Sequence, residues 1–233
     1  MAVYVCSDIH GHWDLWEQIK EFLKPDDTLY YLGDATDRGP DGWDILKDMF
    51  DDKRVKYIAG NHDIMLADRI GRPYDYFIAS IHHQNGGGPT WADAEMDPDA
   101  HLYKWKIRSL PRHAIYTNKD GLKIFMSHSG STDIEDEESL IWDRNEYINS
   151  RNFTEYDVIV HGHTPIQYLI EDLKECYNFY HANGEKSNIP EWNGGAYWYH
   201  GFRCDIDCCT IKTGQTVLLD LDTFDEHIFY ISN

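Results

Sequence analysis

The chain has 233 residues, of which 42% are hydrophobic, and a formal net charge of −20. That is enough apolar material for the core of one sizeable α/β domain, while the sign of the charge argues against a duplex DNA binder, since such binders show basic faces. No stretch approaches the ~20 apolar residues of a membrane span, and no basic segment followed by an apolar run opens the chain, so neither a membrane anchor nor a signal peptide is expected.

The acidic balance reads first as solubility and second as a preference for basic or metal-bound substrates. Five cysteines, an odd number with no Cys-x-x-Cys pair, point to reduced thiols and a cytoplasmic setting. Cys6 reads as a small core residue. Cys204, Cys208 and Cys209 read as parts of a loop and a strand, with metal binding as the alternative.

In chain order, Val3 to Ser7 is an apolar strand. Trp13 to Leu23 repeats its apolar residues at helical spacing (Trp13, Trp16, Ile19, Phe22, Leu23) and ends at Pro25. Thr28 to Leu32 is a second strand, Gly42 to Met49 a second helix and Val55 to Ala59 a third strand. This βαβαβ opening predicts a largely parallel sheet with right-handed crossovers, whose carboxyl ends are the place for active groups. Residues from about 64 to 118 interrupt the rhythm. Helices are expected over Ile64 to Ile70, Tyr74 to Ile81 and Asp99 to Ser109, with Asn85 to Trp91 as a loop. The insertion is rich in aromatics (Tyr74, Tyr76, Phe77, Trp91, Tyr103, Trp105) and reads as a helical cap over one side of a site. Ala114 to Thr117 and Lys123 to Ser127 form a hairpin about Asn118–Gly121. Asp133 to Glu138 is an acidic loop, and Asp157 to Val160 a strand. Ile166 to Ile170, Cys204 to Asp207, Val217 to Leu221 and His227 to Ile231 read as further strands, and Glu185 to Tyr199 as a loop.

Five polar stretches follow strands: Ser7-Asp8-Ile9-His10-Gly11-His12, Gly33-Asp34-Ala35-Thr36-Asp37-Arg38-Gly39, Gly60-Asn61-His62-Asp63, Ser127-His128-Ser129-Gly130 and His161-Gly162-His163-Thr164. They offer six potential ligands: Asp8, His10, Asp34, Asn61, His128 and His163. Imidazole, carboxylate and amide oxygen suit borderline-hard divalent cations. Six donors exceed what one catalytic ion needs if it keeps a position open, and suit two ions sharing a carboxylate. Ions ~3.5–4 Å apart can clamp the attacking and leaving oxygens of an in-line phosphoryl displacement and lower the pKa of a bound water, which supplies a hydroxide nucleophile. Arg38 and Arg144 can fork onto phosphate oxygens. His62, beside Asn61, can protonate a leaving alkoxide, with Asp37 holding its tautomer. His82, His83, His113 and His181 read as surface or core histidines. His12 and His161 read as structural or supporting.

In order and spacing these blocks resemble the phosphoprotein phosphatase family of the calcineurin-like metallophosphoesterases, including its small bacterial and phage members. Trp142-Asp143-Arg144, Asn85-Gly86-Gly87 and Leu110-Pro111 are similar to stretches of the bacterial forms, and Asp63 departs from the family's usual Glu. The resemblance implies an α/β/β/α sandwich with a helical cap, in one domain spanning 1–233. It implies one metal held by Asp8, His10 and Asp34 and a second held by Asp34, Asn61, His128 and His163. The two divalent ions would be manganese, with iron or zinc as alternatives. Arg38 and Arg144 would bind phosphate, with His62 and Asp37 as the acid pair. The implied activity is that of a phosphomonoesterase acting on a phosphorylated protein (serine, threonine or tyrosine) or a small phosphoester, through a metal-bridging hydroxide. A symmetrical diadenosine tetraphosphatase or other nucleotide phosphohydrolase is the alternative, and a non-catalytic scaffold, which would be marked by loss of these residues, a distant third. Neither an oligomeric state nor a motif in the last 65 residues is legible.

Overall fold

The computed structural model describes residues 1–144, 155–180 and 189–232. The expected positions of His181 and of residues 185–188 lie outside them. The elements in order are β1 (Val3–Cys6), α1 (Trp13–Phe22), β2 (Thr28–Tyr31), α2 (Gly42–Asp51), β3 (Val55–Tyr57), α3 (Asn61–Gly71), α4 (Tyr76–Gln84), α5 (Gly88–Met96), α6 (Ala100–Arg108), β4 (His113–Thr117) and β5 (Lys123–Ser127). They are followed by α7 (Ser139–Trp142), β6 (Val158–His161), α8 (Ile166–Tyr180), β7 (Tyr197–Tyr199), β8 (Arg203–Asp205), α9 (Thr210–Thr213), β9 (Gln215–Asp220) and β10 (Glu226–Tyr230).

Strand β1 is buried on both faces. Its side chains alternate as a period of two requires, and each face belongs to a different core. Val3 and Val5 pack with Ile124, Met126, Val158 and Val160 of the second sheet, so the two sheets meet face to face. Tyr4 and Cys6 pack with Trp16 and Ile19 of α1 and with Ile45, Leu46 and Met49 of α2. The first sheet runs β10-β9-β1-β2-β3 and the second β4-β5-β6-β8-β7. Two five-stranded sheets with helices outside them make the expected mixed α/β sandwich. A smaller cluster of Phe125, Leu140 and Ile159 covers the far face of the second sheet.

The opening strands are parallel as expected, but the sheet is completed by β9, antiparallel to β1, and by β10, antiparallel to β9. Residues 166–170 are helical, not a strand. Ile166, Leu169, Ile170 and Leu173 recur at three- and four-residue spacing and join the inter-sheet core, a period hidden when only five residues are considered. The expected loop of 85–91 contains the start of α5, with Pro89 in the first turn where its missing N–H costs nothing. Within 185–199, Tyr197–Tyr199 forms β7 against β8. Strand β3 ends at Tyr57, and Asn61 and His62 open helix α3 instead of closing the strand.

Candidate metal centre

The five polar stretches converge where the two sheets present their strand ends, and the backbone there is unusual. Asp8, His10, Asp34, Asp37, Arg38 and His163 all have positive φ, between 43° and 69°. That conformation is disfavoured for any residue with a Cβ and persists only where surroundings over-determine it. Backbone bonds supply the constraint: Asp8 N–H donates to Gly33 O (3.1 Å), His10 N–H to Asp34 O (3.1 Å) and Gly39 N–H to His10 O (3.0 Å). Close packing adds to it. A Cβ on Gly60 would stand 2.1 Å from Asp34 Oδ1, so only glycine lets the third stretch press against the second.

All six expected ligands are buried, none more than 5% exposed. His10, Asp34 and His62 present ligand atoms within 4.8 Å of one another, as do Asp8, Asp34 and His128, so Asp34 belongs to both groups. Asn61 Oδ1 lies 2.9 Å from His128 Nε2 and 3.0 Å from His163 Nδ1. Two rings are already oriented for coordination. His10 Nδ1 bonds Thr36 O (2.9 Å) and His128 Nδ1 bonds Leu32 O (2.6 Å), which turns both Nε2 atoms into the site, the usual support of a metal-binding imidazole.

The electrostatics fit a cation too. Burial, and then the neighbouring Asp207, push the Asp8 carboxyl well above the usual range. Asp207 itself is raised to about 6, chiefly by burial, and its Oδ2 has no hydrogen-bond partner. Burial opposes ionisation of Asp34, yet His128, His62 and His10 outweigh it and hold that carboxyl well below its usual value. His128 is likewise opposed by burial but carried up to about 9 by Asp34 and Asp8. Burial lowers His10, with Arg38 adding to the effect, and lowers His163, with His128 and Arg144 adding to it. Buried carboxylates gathered without full compensation are a donor set that divalent cations stabilise. A cation beside His128 displaces its proton, because only neutral imidazole coordinates.

The expected partners of the ligands surround them. The Arg38 guanidinium lies 2.8 Å from His10 Nε2 and 3.0 Å from His62 Nε2. Arg144 Nε donates to His163 Nε2 (3.2 Å). His62 Nδ1 bonds Asp37 Oδ2 (2.9 Å), and its Nε2 stands 3.9 Å from Asp34 Oδ2. Asp63, where the family has Glu, accepts from the N–H groups of Asp34 and Gly60 (both 3.0 Å) and from Tyr57 Oη (2.9 Å), so the shorter side chain is fully engaged.

Other groups were not singled out from the sequence. His82 is buried in α4 and bonds Asp37 Oδ1 (3.0 Å). Thr90 Oγ1 accepts from Asp37 N–H (2.8 Å) and Thr210 Oγ1 donates to Asp8 O (3.0 Å). Their only signal was position in the fold. His161 lies outside the ligand groups and bonds Tyr199 Oη (2.7 Å). His12 caps the start of α1 without a side-chain bond to it. Among the described residues no candidate ligand group includes a cysteine, and all five cysteines are free.

A family model described as calcineurin-like phosphoesterase matches residues 1–167. A symmetrical bis(5'-nucleosyl)-tetraphosphatase of Nitrosococcus oceani is 28% identical over 183 residues, covering 75% of this chain and 60% of the relative, so the chain spans less than two thirds of that protein's length. One from Buchnera aphidicola is 39% identical over 70 residues, 28% of this chain and 26% of the relative. Among solved structures, a crystal structure titled as a putative diadenosine tetraphosphatase superposes with a TM-score of 0.64 at 14% identity, covering 99% of this chain and 94% of the other. A Saccharomyces cerevisiae protein serine/threonine phosphatase gives 0.61 at 12% identity, covering 100% of this chain and 80% of the other. Both likenesses are of fold.

Proposed function

The chain belongs to the calcineurin-like phosphoesterase family, and from that premise we propose that it is a metal-dependent phosphomonoesterase acting on phosphorylated protein side chains or small phosphoesters. One observation carries the reading: the Asp34 carboxylate lies within ligand reach of both donor groups. Asp8, His10 and Asp34 would hold one divalent ion, and Asp34, Asn61, His128 and His163 the other. The mixed nitrogen and oxygen donors suit manganese, with iron or zinc as the competitors. When bound, the pair would supply Lewis-acid stabilisation of phosphate oxygens and a low-pKa water.

The chain's own residues do the rest. Arg38 and Arg144 reach inward from exposed positions, and each can take phosphate oxygens with its fork. His62, held through Nδ1 by Asp37, directs Nε2 into the site and delivers its proton to the departing oxygen. The same reading takes the chain as one domain, with residues 64–118 as an insertion bordering the site. Its free thiols suit the cytoplasm. Among the described residues no helix is long and apolar enough to cross a membrane.

Hydrolysis of a nucleoside polyphosphate is the second reading. It is favoured by the names of the two relatives described above, both symmetrical bis(5'-nucleosyl)-tetraphosphatases. A panel of phosphopeptides, nitrophenyl phosphate and diadenosine tetraphosphate, each with manganese, iron or zinc, separates the two. The expected result is metal-dependent turnover of the monoesters, with Asp34→Ala losing both ions and all turnover. Full activity in verified metal-free protein, or Asp34→Ala retaining both ions, overturns the proposal. Turnover of the dinucleotide alone selects the second reading.

A further inference from the structure

We propose that His82 is a positioning residue for the acid pair: from helix α4 it donates Nε2–H to Asp37 Oδ1 and fixes the carboxylate that orients His62. The inference rests on the reading of His62 as proton donor. Asp37 is fully buried and stands between two imidazoles, His62 Nδ1 at 2.9 Å from Oδ2 and His82 Nε2 at 3.0 Å from Oδ1. The tautomer follows from the network. His82 is 1% exposed and its Nδ1 has no partner. A buried N–H left unpaired costs more than a bare ring nitrogen, so the proton sits on Nε2 and points at Asp37. The two imidazoles outweigh the burial of Asp37 and keep it ionised.

Both oxygens of the carboxylate are therefore occupied, and its backbone N–H is held by Thr90 Oγ1. With Oδ1 unanchored, the carboxylate could rotate about its Cβ–Cγ bond and the His62 ring would lose its fixed orientation. The same segment reaches the phosphate-binding arginine, because Gly86 O accepts from Arg38 N–H (2.9 Å). The His82 ring is lodged against Gly87, where a Cβ would stand 2.2 Å from its Nε2. Residues 82–90 thus hold Asp37 by side chain and backbone and Arg38 by backbone, which makes proton delivery depend on where the insertion sits.

The obvious competitor is that His82 merely fills space. Two substitutions separate the roles. Gln keeps an amide N–H near the position of Nε2, while Leu fills the volume without a donor. Steady-state kinetics on phosphoserine peptide and on nitrophenyl phosphate, with metal content measured for each variant, give the readout. His82→Leu is expected to lower kcat on the peptide by about ten- to a hundredfold, a part of the ~10²–10⁴-fold that general acid catalysis supplies. Nitrophenyl phosphate, whose leaving group departs unprotonated, should slow by less than about threefold, and both metals should stay. His82→Gln should recover most of the loss, and in an Asp37→Asn background His82→Leu should add little. Equal slowing on both substrates, loss of metal, or Gln no better than Leu overturns the proposal. If His82→Leu does not fold, nitrogen-15 imidazole spectra of the wild type, assigned with His82→Gln, decide: a neutral His82 with its proton on Nδ1 leaves Nε2 bare and cannot donate to Asp37, and the proposal falls. If His62→Asn itself shows no leaving-group bias, the reading of His62 has failed. If it shows the bias and the His82 variants do not, only the present inference has.

Discussion

At the scale of single residues, His62 is placed where two roles compete. Its Nε2 is close enough to Asp34 and His10 to count as a ligand atom, yet its Nδ1 is committed to Asp37. A proton donor matters most for a poor leaving group, so His62→Asn should keep two ions per chain while losing far more rate on phosphoserine peptide than on nitrophenyl phosphate, within the ~10²–10⁴-fold range of general acid catalysis. Metal analysis together with the two rates checks this, and a shed ion makes His62 a ligand instead. The six candidate ligands were legible because they come in short blocks after apolar strands, where a spacing of two or three residues turns several donors toward one point. His82 was not legible. A single histidine on a short helix carries no pattern, and its value lies in contact with Asp37, 45 residues earlier in the chain. Asp207 and Thr210 were hidden for the same reason.

Among the elements, the strands of the first half were readable from their apolar runs, whereas α8 and α5 were not. Five residues of α8 fit a strand as well as a helix, and α5 begins within Asn85 to Trp91, which read as a loop. The junction between β3 and α3 is the element on which the site depends most. Gly60→Ala would drive a methyl into Asp34, 2.1 Å from Oδ1 and 2.6 Å from its backbone nitrogen. Overpacking of this kind costs about 1–3 kcal/mol, and the displaced carboxylate is the one shared by both donor groups. The variant should melt lower and bind less than one ion per chain by titration calorimetry; two ions at unchanged affinity would refute it. The β4–β5 hairpin is tied to the end of β9 by Asp222, which accepts from Tyr116 Oη (2.8 Å) and Lys119 N–H (3.1 Å) and pairs with Lys119 Nζ (2.7 Å). Burial raises its pKa, but these partners outweigh burial and hold it below 3.8. A depressed carboxylate contributes stability above its unfolded pKa and loses it as pH falls through the folded one. Asp222→Asn should therefore cost about 1–2 kcal/mol at pH 7. Denaturant titrations should show that difference shrinking as pH falls through and below about 4.

For the whole molecule, the buried carboxylates would make the fold and any bound cations mutually dependent. A ligand at a thousandfold its Kd stabilises by about 4 kcal/mol. At roughly 2–4 °C per kcal/mol for a chain of this size, thorough chelation should lower Tm by about 10 °C, and manganese should restore it; an unchanged Tm would show that the acidic cluster needs no counter-charge. The parallel half of the first sheet was legible from the βαβαβ opening, but the two-sheet sandwich came only through the family resemblance, and the closing strands were read only as strands. Their partners depend on long-range pairing, and Tyr4 pairs with Asp220 across nearly the full chain. That pairing has a consequence in time. Strand β1 lies between β2 and β9, and Asp8 O waits for Thr210 Oγ1. A nascent chain halted on the ribosome before Gln215 already carries every residue of the donor set but lacks the strand that closes β1's second edge. Contacts of such high sequence separation are slow to form, so cation uptake is expected to wait for the pairing of β9 with β1 and not to begin when the last donor residue has been added.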